Sequence, residues 1–108
     1  TMSLRLPSFV VALLLSIAAS AQDQDSLQQV AYQQALKKIE AQDWQGASLQ
    51  LTQLINSGFS NKEVLVKRGV VLYHQNDFVK AKADFDEALK ARVNTQELFE
   101  YRGNARYK

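Results

Sequence analysis

The chain has 108 residues, a formal net charge of +2 and no cysteine. That length suits one small domain with a single core, and the lack of cysteine excludes disulfides, thiolate metal sites and cysteine-linked lipid anchors. Acids are interleaved with the 13 Lys and Arg, so the sequence pattern offers no one-signed face for nucleic acid or an anionic membrane.

The first 21 residues read as a secretory signal peptide. Arg5 supplies a short positive region, the run from Phe9 to Ala19 is almost wholly apolar, and Ala19-Ser20-Ala21 is a small-x-small cleavage site. The apolar run falls short of the roughly 20 residues that span a bilayer. An uncleaved anchor is the alternative; with cleavage, no stable membrane insertion is expected. Export without disulfides suits a bacterial periplasm or the medium. Residues 22–108 remain, with 12 Lys and Arg against 11 Asp and Glu, and 22–26 is expected to be a short frayed lead-in.

Five helices are predicted beyond it, at about 27–41, 44–57, 61–75, 78–91 and 95–107, with no strand. Three helix starts recur as capping boxes: Ser26 with Gln29, Ser60 with Glu63, and Asn94 with Glu97. Phe59 is placed to staple onto Val64, and Val93 onto Leu98. Two further starts fall at Asp43 and Asp77, each an N-cap residue followed by an aromatic. Gly58 suits a helix C-terminus. Loops this short make consecutive helices antiparallel hairpins.

A shift of 34 residues superposes the chain on itself. Asp43-Trp44 meets Asp77-Phe78, Ala47 meets Ala81, Leu51 meets Phe85, and Ala35, Gly69 and Gly103 align. The small residues leave hollows on the first helix of each unit, to be filled by bulky side chains of the second. A glycine inside a helix costs about 1 kcal/mol relative to alanine, so close packing must return at least that. Arg68 is expected to pair with Asp84 across the second hairpin, the alternative being two separately solvated side chains.

These residues resemble the tetratricopeptide repeat. Gly69, Asp77-Phe78, Ala81, Phe85 and Ala88 match its pattern best. Ala35, Asp43-Trp44, Ala47 and Leu51 form a first unit with Leu54 where alanine is usual, and Arg102-Gly103 opens a third. The closing proline of each unit is absent, with Phe59 and Val93 in its place. The resemblance implies an all-α stack of antiparallel helix hairpins, an α-solenoid. Its first repeat would occupy 27–58, its second 59–92, and a first helix or capping helix 93–108. It also implies a concave surface on the first helices where a peptide or protein segment binds. Tyr32, Leu36, Ile39, Val66, Val70, Tyr73, Asn104 and Tyr107 fall on that surface, although the same side chains can instead fill contacts between repeats. Tyr32, Leu36 and Glu97 stand where a carboxylate-clamping groove would carry Lys, Arg or Asn.

Little points to chemistry. His74 has only Asp77 as a titratable neighbour at helical spacing, which makes no metal site. Asp84, Asp86 and Glu87 point to different sides of one helix beside lysines, an ion-paired face rather than a carboxylate pair. Phosphate loops, nucleophile elbows and dinucleotide fingerprints are absent from the sequence. The expectation is an exported, non-catalytic protein-binding scaffold without cofactor or metal. The alternative is a self-assembling module, pairing through Phe99 and Tyr101, or the opening segment of a longer array. The open third unit and the Thr before Met2 lead to the second form of that alternative.

Overall fold

The computed structural model describes the backbone of residues 8–108 and the side chains of residues 23–108. These form α1 (Ser8–Glu40), α2 (Trp44–Asn56), α3 (Glu63–His74), α4 (Phe78–Lys90) and α5 (Gln96–Arg106). No strand occurs among the described residues, so the fold is all-α. The last four helices lie within two residues of their expected bounds.

The first helix differs. It passes through 22–26, where a frayed lead-in and a cap at Ser26 were expected. Between Ser8 and Glu40 there is neither Pro nor Gly, so nothing breaks the backbone ladder. Amides near Ser26 bond inside the helix and need no cap. The signal-peptide assignment rests on side chains outside the described residues. Among those described, no helix is long and apolar enough to cross a membrane.

The other two capping boxes are also replaced. Lys62 is the N-cap of α3 and makes no side-chain cap bond; the Glu63 amide instead donates to Asn61 Oδ1 at 3.0 Å. The extended residue Thr95 caps α5, its hydroxyl accepting from the Leu98 amide at 3.2 Å. Glu97 is drawn away by Lys67 Nζ at 2.9 Å, and an inter-helix ion pair competes with the box for the same carboxylate. Asp43 and Asp77 do cap, accepting from the Gly46 and Lys80 amides at 3.0 and 3.3 Å.

Helix ends carry the period most clearly. Gln42, Gly58, Asn76 and Arg92 all have left-handed backbone, with φ of 58°, 77°, 65° and 63°. Behind each, the next amide returns to a carbonyl five residues earlier: Asp43 to Lys38, Phe59 to Leu54, Asp77 to Leu72 and Val93 to Ala88, at 2.8–3.1 Å. These are Schellman closures, which satisfy carbonyls left over at a helix end. Gln42 and Asn76 are 34 positions apart, as are Gly58 and Arg92. Only Gly58 is the residue that such a backbone prefers.

The short turns set each helix against the next. α1, α3 and α5 also touch in series, whereas α2 and α4 make no contact with each other. α3 is therefore surrounded. Val64 and Val71 join a cluster with α1 and α2 around Leu51 and Phe59, while Val66 and Val70 join another with α4 and α5 around Phe85 and Leu98. Phe59 and Val64 share the first cluster, and Val93 packs on the second beside Leu98, as the staples require.

Gly69 lies against Phe85. A Cβ on Gly69 would sit 2.7 Å from Phe85 Cδ1 and 2.9 Å from Cζ, closer than atoms pack. Only the missing side chain lets α3 and α4 come this near. Beside it, Arg68 Nε and Nη2 each donate to one Asp84 carboxylate oxygen at 2.7 Å. Asp84 is only 6% exposed, so this is a part-buried, two-point ion pair. The hydrogen bond from Arg68 to Asp84 raises the guanidinium pKa further, despite burial.

Candidate functional site

The helices α1, α3 and α5, expected to carry the binding surface, touch in series. Three residues expected to face a partner there do not. Tyr32, Val66 and Val70 are 5%, 1% and 4% exposed and belong to the core. Val66 and Val70 pack with residues of α4 and α5, and the Tyr32 ring rests on Phe59 with centroids 5.3 Å apart. Leu36 and Ile39 are half-buried against the first cluster. Tyr73 is half-buried, whereas Asn104 and Tyr107 are exposed.

What remains open is a row of rings and charges. Trp44, at the start of α2, stacks flat on His74 at the end of α3, with centroids 4.3 Å apart and an interplanar angle of 5°. Tyr73 meets His74, Phe78 and Tyr101 edge-on at 5.2–5.8 Å. His74 Nε2 and the Tyr101 hydroxyl are 3.2 Å apart, a hydrogen bond in either tautomer of the neutral ring. The row thus joins α2, α3, α4 and α5. Trp44 and Phe78 are equivalent under the 34-residue shift, and so are their partners His74 and Lys108. Lys108 Nζ lies over the Phe78 ring at 5.8 Å, a cation–π counterpart of the stacked pair.

Toward the other end of the same surface, Lys67 bridges α3 to Glu97 of α5. A hollow of about 110 Å³ beside the pair is lined by Glu63, Val66, Lys67, Thr95 and Glu97. The acids mark their surroundings. Burial holds the Tyr32 phenol above its ordinary pKa, and Glu63 and Glu97 add to the shift. Burial also raises Tyr101, with Glu97, Tyr73 and Glu100 reinforcing it and Lys67 opposing. The surface is therefore aromatic, with Glu63, Glu97 and Glu100 set against Lys67 and Lys108.

A larger hollow of about 460 Å³ opens on the second-helix side, lined by residues that include Ser48, Thr52, Arg68, Lys80 and Asp84. Its Arg68 is already occupied by Asp84. The other two acids of α4 are also engaged: Asp86 by Arg102 at 3.0 Å and Glu87 by Lys90 at 3.3 Å. Among the described residues, no three His, Asp or Glu gather as metal ligands would.

Sequence reasoning missed Lys67 as a surface-forming residue, set Tyr101 beside Phe99 for self-pairing whereas its ring packs on Tyr73, and treated Trp44 only as hairpin filling. One signal was present. Trp44 and His74 are 30 residues apart, as are Lys67 and Glu97, the offset of contacts that cross from one unit to the next. Comparison with protein-family models, curated proteins and solved structures finds no match to the chain.

Proposed function

We propose that the chain is an exported, non-catalytic scaffold of the tetratricopeptide-repeat kind. Its two hairpins and one further helix form a short α-solenoid, and a segment of a partner protein lies along the first helices. The observation that carries this reading is the ring row Trp44–His74–Tyr101–Tyr73, which runs across successive units on one surface. The recurrence of helix ends, hollows and ring contacts at one interval supports the repeat. An aromatic surface with Glu63 and Glu100 exposed beside it suits a segment with basic side chains, whose cations can settle over the rings and near those two carboxylates.

The test is site-specific photo-crosslinking of the full chain in the cell envelope and medium. A crosslinker at the exposed His74 position captures a defined protein segment; one at the exposed Glu87 position on α4 does not. Capture from position 74 is lost on adding Tyr73→Ala and weakens with salt. Equal capture from both positions, or capture indifferent to Tyr73, would point away from the first-helix surface.

A further inference from the structure

α2 and α4 make no contact with each other, and both pack on α3, which floors the cleft between them. The cleft has a volume of about 460 Å³, within the roughly 300–1,000 Å³ of small-molecule sites. Helical spacing supplies each side. Arg68 and Leu72 of α3 lie below, Ser48 and Thr52 of α2 form one wall, and Lys80, Ala83 and Asp84 of α4 form the other. Each of these helices has a described helix before and after it in the chain, so the cleft does not arise from where the sequence begins or ends.

Arg68 has donors to spare there. Asp84 takes one edge of the guanidinium, bonding Nε and Nη2 at 2.7 Å. The Nη1–Nη2 edge, which can also hold a carboxylate in a fork, is left with one long hydrogen bond, from Nη1 to the Thr52 hydroxyl at 3.5 Å. The contact one unit on is different. Arg102 and Asp86, the equivalents of Arg68 and Thr52 under the 34-residue shift, meet as an ion pair at 3.0 Å. A neutral hydroxyl thus stands beside Arg68 where a carboxylate stands beside Arg102. Lys80 adds a second cation to the lining; Asp77, outside it, lies 3.8 Å from the ammonium, beyond hydrogen-bond reach, and the lysine is 76% exposed. Two cations against the single carboxylate of Asp84 leave the lining with a surplus positive charge.

We infer that this cleft binds a small organic monoanion, a carboxylate on a short hydrocarbon body. The carboxylate accepts from the open edge of Arg68 and from the hydroxyls of Thr52 and Ser48, and Lys80 closes over it. The hydrocarbon body lies on Leu72 and Ala83, which offer an amide no partner, so a free acid fits better than the end of a peptide. Asp84 shares the lining and disfavours a dianion such as phosphate, because the surplus charge matches one negative charge and not two. None of the lining residues belongs to the ring row, and the site does not depend on what that row binds.

The probe is n-butyrate, titrated at constant ionic strength into the isotope-labelled full chain and read by backbone amide and arginine Nε shifts. The expected result is a saturable shift centred on Ser48, Thr52, Arg68 and Ala83. Butyramide has the same shape without the charge and should bind at least about tenfold more weakly, the loss of one charge-assisted hydrogen bond. Thr52→Asp sets a carboxylate of the chain's own against Arg68, as Asp86 is set against Arg102. It should leave the far-UV spectrum intact and weaken butyrate by a similar factor. Lys80→Ala, at an exposed position, should weaken it about two- to fivefold. Equal affinity for butyramide, undiminished binding to folded Thr52→Asp, shifts centred on α1 or α5, or no saturable shift would overturn the inference. Tighter binding of inorganic phosphate would do so by assigning the cleft to a dianion, and tighter binding of acetyl-alanyl-valine by assigning it to a chain end.

Discussion

Gly69 and Gly103 occupy equivalent places 34 residues apart, yet alanine should act on them with opposite sign. At Gly69 the new methyl would fall within 2.7–2.9 Å of Phe85 ring atoms, where carbon atoms pack best at about 3.5–4.0 Å. The ring must retreat by roughly 1 Å, but Phe85 is wholly buried between Ala81, Ala88 and Leu98, so there is little slack. Overpacking of this kind costs about 1–3 kcal/mol. The gain in helix propensity returns about 1 kcal/mol, leaving Gly69→Ala destabilised by up to about 2 kcal/mol. At Gly103 nothing opposes the methyl, so only the propensity gain remains and Gly103→Ala is stabilised by up to about 1 kcal/mol. Urea unfolding followed by circular dichroism should show the two midpoints moving apart at constant slope. In a melt the corresponding shifts are about 4–8 °C per kcal/mol for a domain of this size. Two midpoints moving the same way by the same amount would refute the argument, because close approach of α3 and α4 would then not explain the glycine.

Other consequences are equally direct. A double-mutant cycle on Arg68→Ala and Asp84→Ala should give a coupling of about 2 kcal/mol or more, because removing Arg68 strands a buried carboxylate; the exposed Lys90–Glu87 pair should show only the few tenths typical of surface pairs. Arg92→Gly should stabilise the chain by about 0.5–1 kcal/mol, since its φ of 63° suits glycine, and Gly58→Ala should cost about 1 kcal/mol by the same measure in urea. Stability should also fall in alkali. Tyr32 and Tyr101 are held above their ordinary pKa of 10.0 when folded, so above that pH the unfolded chain ionises first and binds fewer protons than the folded one. The contribution is intact below about pH 10 and is lost as the pH climbs through the raised folded values. Tyr32→Phe should flatten that decline in a series of urea midpoints taken from about pH 9 to 11.

The sequence made the helices and the close contacts legible because both depend on short-range chemistry. Gly69 against Phe85, Arg68 with Asp84, and the caps at Asp43 and Asp77 could each be reached from spacing and side-chain type. The capping boxes could not. Glu97 had two possible partners, and only the placement of α3 beside α5 decides for Lys67. Three of the four left-handed helix ends carry Gln, Asn or Arg, so the usual glycine mark was missing there. The surface suffered most. Tyr32, Val66 and Val70 lie on the first-helix face by helical phase, but phase gives a direction and not a depth. How deeply each is covered depends on the neighbours that pack on it, Phe59 for Tyr32 and residues of α4 and α5 for Val66 and Val70.

Stacking of the two helical hairpins and the further helix in register would bring the same kinds of ring contact together from one unit to the next. Nuclear Overhauser contacts in the full chain test it most directly. Contacts are expected from the Phe85 ring to the Gly69 α-protons, and from His74 to both Trp44 and Tyr101, with the Gly69 α-protons shifted by the ring and those of Gly103 unshifted. Finding His74 remote from Trp44, or Gly103 as ring-shifted as Gly69, would contradict it.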